Sequence, residues 1–329
     1  MRYSKLFLSM KVSIIIPMYN SECTIFKCVQ AIINQTYQNL EILLIDDYSK
    51  DNTVLVANKI AQTDSRIRII QNKRNMGAGL TRNIGLDHAT GDWTTFCDAD
   101  DIPDPTWISD FIKEISDYNI DLIVQGFYCN NWPYGGNPRI VSYNGVGNRD
   151  EVVDALCKQH TFGYLWCKMY KSSIINDHNL RFTDIVMIED EMFNLQYLKY
   201  VHQIACTDKC NYHYDCPDFY AKYGHIDNFR ANLNMFITAC DSFGGAPLRI
   251  KDMYVERTSD WLLSSYKLNQ PDKHEKLLAY CQSIGSYLPH ANCCRRAIRL
   301  LRFFIFPNYI TLSDIGLKLY ICTIGRFKK

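Results

Sequence analysis

The 329-residue sequence has no marked excess of charge of either sign, because 36 lysines and arginines face 35 aspartates and glutamates. A net charge of +1 gives no global reason to expect nucleic-acid binding, which ordinarily needs a strongly basic surface. No stretch reaches the roughly 18 uninterrupted apolar residues of a membrane-spanning helix. The chain also contains no low-complexity tract and no internal repeat beyond an alternation of strand-like and helix-like segments.

Paired cysteine spacing is absent as well, since none of the 14 cysteines forms a CxxC motif. A disulfide framework is therefore not predicted, and a reduced, cytoplasmic protein fits better. One group, Cys206, Cys210, His213 and Cys216, contains the ligand types that zinc prefers. Its spacing matches no common zinc finger, and free cysteine is ordinarily a small buried hydrophobic residue, so burial is the favoured interpretation.

The first residues, MRYSKLFLSMKVSIII, have early cations followed by apolar residues, as secretory signals do. Lys11 interrupts the apolar run, and no small-residue cleavage site follows it. We therefore expect residues 1–10 to be an N-terminal extension before the first strand rather than a signal peptide.

Apolar, β-branched runs recur at regular intervals over the first 130 residues, and a helix-like stretch follows each of them. The runs are VSIII (12–16), LEILLI (40–45), IRII (67–70), WTTFC (93–97) and DLIVQGF (121–127). Ser21 is the predicted N-cap of the first helix. Continuous apolar strands are typical of a parallel sheet that helices cover on both faces. The pattern predicts an α/β fold, doubly wound, with a mostly parallel sheet flanked by helices.

The pattern changes after residue 130, first to the Gly, Pro and Asn-rich stretch NNWPYGGNPR and, beyond about residue 225, to a helical pattern. We expect one α/β domain over 11–225, divided into halves at residue 130, and a mainly helical region over 226–329.

Polar residues follow each of the first four predicted strands, at the edge where doubly wound sheets bind ligands. They are Pro17, Tyr19, Asn20, Asp46, Asp47, Lys73, Arg74, Asn75, Asp98, Asp100 and Asp101. Because parallel strands end at one edge of the sheet, we expect these residues to share a site.

The carboxylates in TTFCDADDIPDP allow two interpretations. In the first, Asp98 or Asp101 satisfies backbone donors in a turn before Pro103. In the second, the cluster binds a divalent cation, because like charges this close raise one another's pKa unless a cation neutralises them. Mg²⁺ and Mn²⁺ prefer one or two carboxylates together with phosphate oxygens of a substrate. Asp-X-Asp at this edge therefore suggests a metal-bound diphosphate.

Three segments, VSIIIPMYN, INQTYQNLEILLIDDYSKDNT and NMGAGLTRNIGLDHATGDWTTFCDADD, occur in this order. Together they resemble the family 2 glycosyltransferases, which have the GT-A nucleotide-sugar fold. The resemblance runs from about Lys11 to Pro105 and continues weakly through YLWCKMYKSSII and IEDEMF. It implies metal-dependent, inverting transfer of a sugar from a nucleotide diphosphate sugar, usually a UDP-sugar, to a glycan or lipid-linked acceptor, often in cell-surface polysaccharide biosynthesis.

The resemblance implies a role for each matching position. Asp47 would hydrogen-bond the base, and Asp100 would bind the divalent metal, Mn²⁺ or Mg²⁺. Asp101 would cap or orient its neighbours. The remaining residues implied in nucleotide-sugar binding are Pro17, Tyr19, Asn20, Glu22, Lys73, Asn75, Gly77, Arg82, Asp98 and Ala99.

The segment 188–193 resembles the family's ED motif, in which the aspartate removes the proton of the acceptor hydroxyl. Asp190 is the predicted base, and Glu189 is the second candidate for this role. The alternative is that three consecutive acids favour the first turn of a helix through its dipole.

Four further positions have weaker interpretations. Trp166 matches a family segment near the acceptor, as does Lys168, although such a tryptophan more often belongs to the core. His213 or His225 would be a further metal ligand in some relatives, although a lone histidine is more often structural.

From Arg295 to Lys329 the chain has eight basic residues and one acidic residue. The stretch RRAIRLLRFFIF has the composition of a helix that lies on an anionic membrane surface. Peripheral association through 295–306 at the inner face of the membrane would suit a lipid-linked acceptor. The alternative is a terminal helix that packs on the catalytic domain with its arginines in solvent.

Two other functions occur on similar folds. A non-catalytic nucleotide-sugar or glycan binding module of the same fold is disfavoured by the presence of Asp98, Asp100 and Asp190. A nucleotidyltransferase would be expected to have a Gly-rich basic loop after the first strand, which PMYNSE is not.

Overall fold

A computed structural model of the chain describes residues 10–115, 119–130, 138–159, 161–184, 188–215, 226–242, 248–284, 312 and 314–319. The chain divides into two compact units, Met1–Pro217 and Asp218–Lys329. The expected division after residue 225 lies close to this boundary.

One eight-stranded sheet organises the first unit. Its strands are β1 (Val12–Met18), β2 (Leu40–Asp46), β3 (Ile67–Gln71), β4 (Trp93–Phe96), β5 (Leu122–Asn130), β6 (Gly145–Asn148), β7 (Lys168–Lys171) and β8 (Gln203–Asp215). Their order across the sheet is β3-β2-β1-β4-β7-β5-β8-β6. The pairs β1–β2, β1–β4, β2–β3 and β5–β8 are parallel. The mostly parallel sheet predicted from the sequence is therefore confirmed.

Strands β1, β2 and β4 are almost entirely buried. Every residue of β2 is buried, and in β1 Pro17 alone is half-buried. This is the burial that continuous apolar runs predict, because side chains on both faces need cover. A helix approaches β1 closely at Gly85, where an added Cβ would lie 2.4 Å from Cγ2 of Ile15.

The simple alternation of strand and helix ends at β4. The fifth predicted strand forms as β5, but β7 lies antiparallel between β4 and β5. Met169 and Tyr170 of β7 are fully buried, so the insertion adds a covered strand to the middle of the sheet. Strand β6 is also antiparallel to its neighbour, β8.

Seven helices accompany the sheet in the described part of the first unit. They are α1 (Ile25–Ile33), α2 (Thr53–Ala61), α3 (Ala78–His88), α4 (Trp107–Lys113), α5 (Arg149–Lys158), α6 (Ser172–Asp177) and α7 (Glu189–Leu198).

The prediction that Ser21 caps the first helix is wrong. Helix α1 begins at Ile25, with Thr24 at the N-cap position. A turn precedes it, in which the carbonyl of Ser21 accepts hydrogen bonds from the amides of Thr24 (3.0 Å) and Ile25 (2.9 Å). The hydroxyl of Ser21 instead donates to the carbonyl of Tyr19 at 3.1 Å, within the loop that leaves β1.

The described part of the second unit is helical, as predicted, with α8 (Ile226–Ser242), α9 (Leu248–Lys267) and α10 (Lys273–Ser283). Tyr254, Leu262 and Leu277 are fully buried among these helices. In the part of the chain that the structure describes, no helix combines the length and the apolar character needed to cross a membrane. The basic segment 295–306 and His225 lie outside the described residues.

Candidate functional site

Hydrogen bonds join the loops that follow β1 and β2. The amide of Asn20 donates to Oγ of Ser49 at 3.0 Å, and the amide of Lys50 donates to Oδ1 of Asn20 at 2.8 Å. The amide of Asn52 donates to Oε2 of Glu22 at 2.8 Å. These contacts bring the predicted residues Asn20 and Glu22 to one rim of the sheet.

Asp47 ties the loop after β3 to the same rim. Its side chain is buried, with Oδ1 accepting the amide of Met76 and Oδ2 the amide of Gly77, both at 2.8 Å. Nδ2 of Asn72 also donates to Oδ1, at 3.1 Å. Gly77 has a φ of 85°, a conformation that favours glycine. Asp47 thus shapes the rim, and its contact with a nucleobase stays a prediction.

The other residues predicted on this rim differ in accessibility. Tyr19 is 47% exposed, and Lys73 and Asn75 are exposed. Pro17 is half-buried, opposite Ile45 of β2. Tyr19, Lys73 and Asn75 are therefore the residues of this set whose side chains a ligand can reach most easily.

The acidic loop after β4 is hydrogen-bonded to the side chain of Tyr212. The amide of Asp98 donates to the Tyr212 hydroxyl at 3.2 Å, and that hydroxyl donates to Oδ2 of Asp101 at 2.6 Å. Burial, together with the nearby charge of Asp101, raises the pKa of Tyr212 well above its ordinary value, so the hydroxyl keeps its proton. Asp101 is buried and orients the loop, whereas Asp100 is exposed. Sequence reasoning missed Tyr212.

The donor set of the acidic loop suits a hard divalent cation. Asp100 is exposed, the side chain of Asp98 is 33% exposed, and Ala99 between them is buried. Across the described ranges, no group of three or more His, Cys, Asp or Glu side chains is placed to hold a metal. One or two carboxylates with the remaining ligands from substrate phosphates is the arrangement that Mg²⁺ prefers. The residues present therefore fit such an ion.

The three described members of the candidate zinc cluster form no metal-binding group. Cys206, Cys210 and His213 all lie along β8, and they form no metal-binding group there. Cys206 is fully buried, in agreement with the favoured interpretation. His213 stacks on Tyr128 with ring centroids 5.0 Å apart, and its Nε2 lies 3.1 Å from Oδ1 of Asp104. Cys216 lies outside the described residues.

Arg82 connects the two acidic motifs. The residue is buried, its Nη2 lies 2.9 Å from Oδ1 of Asp98, and its Nη1 lies 3.0 Å from Oε1 of Glu189. Burial alone would lower the pKa of Arg82, but the charges of the neighbouring carboxylates outweigh it and raise the pKa. The arginine thereby holds helix α3, the loop after β4 and the start of α7 together.

Asp190 lies in the first turn of α7, directly after Glu189. Burial, then the negative charges of Glu189 and Glu191, raise its pKa to about 8, while Arg82 opposes the shift. Its Oδ1 accepts the amide of Glu191 at 2.8 Å. Ile188, which precedes the helix, has a φ of 72°, a strained conformation for a β-branched residue. A carboxyl group with this pKa is mostly protonated at pH 7 and becomes available as a base as the pH approaches 8.

Trp166 and Lys168 both lie in the core, and Trp166 packs against the tyrosine that supports the acidic loop. Trp166 is buried and stacks on Tyr212 with centroids 4.5 Å apart and an interplanar angle of 4°. Nζ of Lys168 is buried and donates to the carbonyl of Thr161 at 3.0 Å and to the carbonyl of Tyr164. The expectation that this tryptophan packs in the core agrees with the structure.

Comparison with known proteins matches residues 13–178 to the family model described as "Glycosyl transferase family 2". The "Uncharacterized glycosyltransferase EpsJ" of Bacillus subtilis (strain 168) is 27% identical over 333 residues, which cover 89% of this chain and 95% of that protein.

Two solved structures are similar in fold. One is S. aureus TarS 1-349 in complex with UDP-GlcNAc, with a TM-score of 0.69 and 17% identity, covering 94% of this chain and 91% of that chain. The other is the mannosyltransferase PcManGT from Pyrobaculum calidifontis in complex with GDP-Man and Mn²⁺. Its TM-score is 0.57 at 16% identity, covering 99% of this chain and 93% of that chain. The architecture is that of the GT-A glycosyltransferases.

Proposed function

The chain belongs to glycosyl transferase family 2, and from that premise we propose that it is an inverting enzyme. It moves a sugar from a nucleotide diphosphate sugar, a UDP-sugar, to a hydroxyl group of a glycan or lipid-linked acceptor. The product fits cell-surface polysaccharide biosynthesis, the role that resemblance to the family suggested from the sequence.

The observation that carries this proposal is the bridge made by Arg82. Its guanidinium group contacts Asp98 of the Asp-X-Asp motif and Glu189 of the ED motif, at 2.9 and 3.0 Å. Asp190 therefore directly follows a residue, Glu189, that Arg82 connects to the acidic loop. Donor binding and proton removal require these motifs to act on the same sugar, and the bridge supports that arrangement.

The rim formed by the loops after β1, β2 and β3 is the proposed nucleotide site. Exposed Tyr19, Lys73 and Asn75 are available to the nucleoside and the diphosphate, and Asp47 holds the rim together. A uridine donor is supported by the similarity to TarS, which was solved with UDP-GlcNAc. The guanosine donor of PcManGT makes GDP-mannose the competing donor to test.

Asp100 is the proposed ligand of a divalent cation, Mn²⁺ or Mg²⁺, with Asp98 beside it. When bound, such an ion neutralises the negative charge that develops on the departing diphosphate. The Mn²⁺ in the structure of PcManGT supports this assignment. Arg82 adds a fixed positive charge behind Asp98, so the loop is preorganised before a donor arrives.

Asp190 is the proposed base. The acceptor oxygen attacks the anomeric carbon of the donor sugar, the bond from that carbon to the diphosphate oxygen breaks, and the nucleoside diphosphate leaves. The acceptor hydroxyl gives its proton to Asp190. A single displacement of this kind inverts the anomeric configuration, and one base without a separate nucleophile is sufficient for it.

Peripheral membrane association through residues 295–306, at the cytoplasmic face, is part of the proposal. The basic and apolar composition of that segment supports it. A lipid-linked acceptor would then be presented to a protein that lies at the same surface.

Nucleoside diphosphate release from UDP-sugars and GDP-mannose, measured with Mn²⁺, tests the proposal. We expect turnover of a UDP-sugar by the wild-type chain, loss of turnover with retained UDP binding in Asp190→Asn, and loss of Mn²⁺-dependent UDP binding in Asp100→Ala. The matched control is Asp208→Asn, because the Asp208 side chain is 62% exposed and should leave turnover unchanged. Binding of UDP-sugars without turnover across a broad acceptor panel would instead favour a non-catalytic binding module.

A further inference from the structure

Tyr48 has a backbone conformation that is costly for an aromatic residue. Its φ is 66°, in the left-handed region that glycine adopts readily and bulky residues avoid. Residues held in such conformations cluster at functional sites, where the surrounding structure stabilises them. Here the amide of the next residue, Ser49, lies 3.3 Å from both carboxylate oxygens of buried Asp46. The fold thus holds a tyrosine where a glycine would fit without strain.

The side chain of Tyr48 is accessible at the proposed nucleotide rim. It is 44% exposed and follows Asp47 directly. The next two residues are hydrogen-bonded to Asn20, which places the Tyr48 turn beside the loop that carries Tyr19. Tyr19 is itself 47% exposed, so the adjacent loops after β1 and β2 each present an aromatic ring. Rings this exposed contribute little to the core and are free to bind a ligand.

Lys50 occupies one face of the Tyr48 ring. Its Nζ lies 3.2 Å from the ring centroid, a cation–π contact that orients the ring. An aromatic ring that is oriented on one face and exposed to solvent is prepared to stack with a flat partner on its other face. Aromatic side chains form such stacks with nucleobases of any sequence, because every base has a π-face.

We propose that Tyr48 is a donor-binding residue that stacks against the nucleobase of the donor. This inference rests on the proposed function and deepens it, since it assigns a contact to the nucleoside rather than to the diphosphate. Lys50 orients the ring, and the left-handed turn at Tyr48 directs it beside the Tyr19 loop.

The test compares the binding of UDP with that of inorganic pyrophosphate, each with Mn²⁺, by calorimetry. Stacking of a base on an aromatic side chain is worth about 1–3 kcal/mol, so Tyr48→Gly should weaken UDP binding by about tenfold. Pyrophosphate binding should not change, because pyrophosphate has no base. Tyr48→Phe keeps the ring and should keep the wild-type affinity for UDP.

Thermal stability separates a lost contact from a damaged fold. Glycine accepts the left-handed conformation without strain, so the melting temperature of Tyr48→Gly should equal or exceed that of the wild type. Asn179→Gly is the matched backbone control, because Asn179 also has a positive φ, of 48°. It should leave the affinity for UDP unchanged.

Unchanged UDP affinity in Tyr48→Gly would overturn the assignment, and so would an equal loss for UDP and pyrophosphate. An equal loss in Tyr48→Phe would show that the hydroxyl makes the contact, against stacking. Each of these three outcomes would leave the proposed function standing, provided that the wild-type chain binds UDP and releases UDP from a UDP-sugar. A wild-type chain that binds pyrophosphate but none of UDP, GDP, ADP and CDP would overturn both.

Discussion

Arg82 and Glu189 lie 107 positions apart in the chain, yet Nη1 of the arginine is 3.0 Å from Oε1 of the glutamate. The other terminal nitrogen of the same guanidinium group is 2.9 Å from Asp98. Arginine suits this position because its fork of donors can serve two carboxylates while the charge remains fixed. The acidic loop and the helix that carries Asp190 are therefore held by one side chain.

Replacing Arg82 by methionine should destabilise the fold and reduce turnover together. The substitution leaves Asp98 and Glu189 without their cation, and removal of one partner from such a buried network costs about 3 kcal/mol. It should also raise the pKa of Asp190 further, because Arg82 opposes the upward shift. Urea denaturation measures the first effect, and the pH profile of turnover measures the second.

Arg181→Met is the matched control for Arg82→Met. Arg181 pairs with Asp87 at 2.8 Å, but the two side chains are 30% and 51% exposed. An exposed pair of this kind contributes about 1 kcal/mol or less. Comparable destabilisation by the two variants would contradict the structural role given to Arg82.

The pH dependence of turnover should follow the ionisation of Asp190. The base acts only when its carboxyl group is ionised, and its pKa is raised to about 8. We expect kcat/KM to rise about tenfold per pH unit below that value and to level off above it. Steady-state rates between about pH 6 and about pH 9.5 measure this rise in kcat/KM and its plateau. A flat profile over the whole interval would exclude Asp190 as the titrating base.

The free energy of unfolding should also depend on the ionisation of Asp190. It should decrease as the pH rises, whereas turnover should increase. The folded-state pKa of Asp190, about 8, exceeds the unfolded value of about 3.9. The folded protein therefore binds a proton that the unfolded chain has lost, and stability falls as pH rises from about 4 to about 8. Asp190→Asn should gain melting temperature relative to the wild type across that window. If the difference in melting temperature between Asp190→Asn and the wild type is the same at about pH 5 and about pH 9, the raised pKa of Asp190 is contradicted.

Tyr212→Phe should weaken donor binding through the acidic loop. The substitution removes the hydroxyl that donates to Asp101 at 2.6 Å and accepts the amide of Asp98 at 3.2 Å. Leaving such buried groups unpaired costs about 1–3 kcal/mol of stability, and we expect the KM for the donor to rise severalfold. Donor titrations at saturating Mn²⁺ measure this effect.

Tyr266→Phe is the control for the loss of a tyrosine–carboxylate bond. The Tyr266 hydroxyl donates to Oδ1 of Asp314 at 2.6 Å in the second unit, where no donor contact is proposed. It should lower stability without changing the KM for the donor. An unchanged KM in Tyr212→Phe would show that the loop does not need this support.

Local sequence was sufficient for the strands that begin the sheet. The runs at 12–16, 40–45 and 93–97 form buried strands, because continuous apolar residues favour burial on both faces. The run at 67–70 forms the edge strand β3, which is only partly buried. The position of β7 was not predictable in this way. Its four residues, KMYK, are too short for periodicity to identify, and pairing with β4 and β5 depends on segments far away in the chain.

No local sequence pattern predicted that Tyr212 contacts the acidic loop either. It lies in β8 between Cys210 and His213, where the β5–β8 pairing shifts register, beside the loop that contains Asp98 and Asp101. Which loop a strand end reaches depends on how the whole sheet pairs and bends, and no motif around Tyr212 encodes it. The same holds for Tyr48, because the letters DDYS do not reveal a positive φ.

By itself, the sequence determined the class of fold, the family and the acidic residues of the two motifs, since hydrophobic periodicity and motif spacing are local properties of the chain. Only the tertiary structure decided that Arg82 joins Asp98 to Glu189, that Tyr212 supports the acidic loop, and that Asp190 has a raised pKa. Ionisation and hydrogen bonding depend on burial and on neighbouring charges, which exist only once distant segments have been brought together.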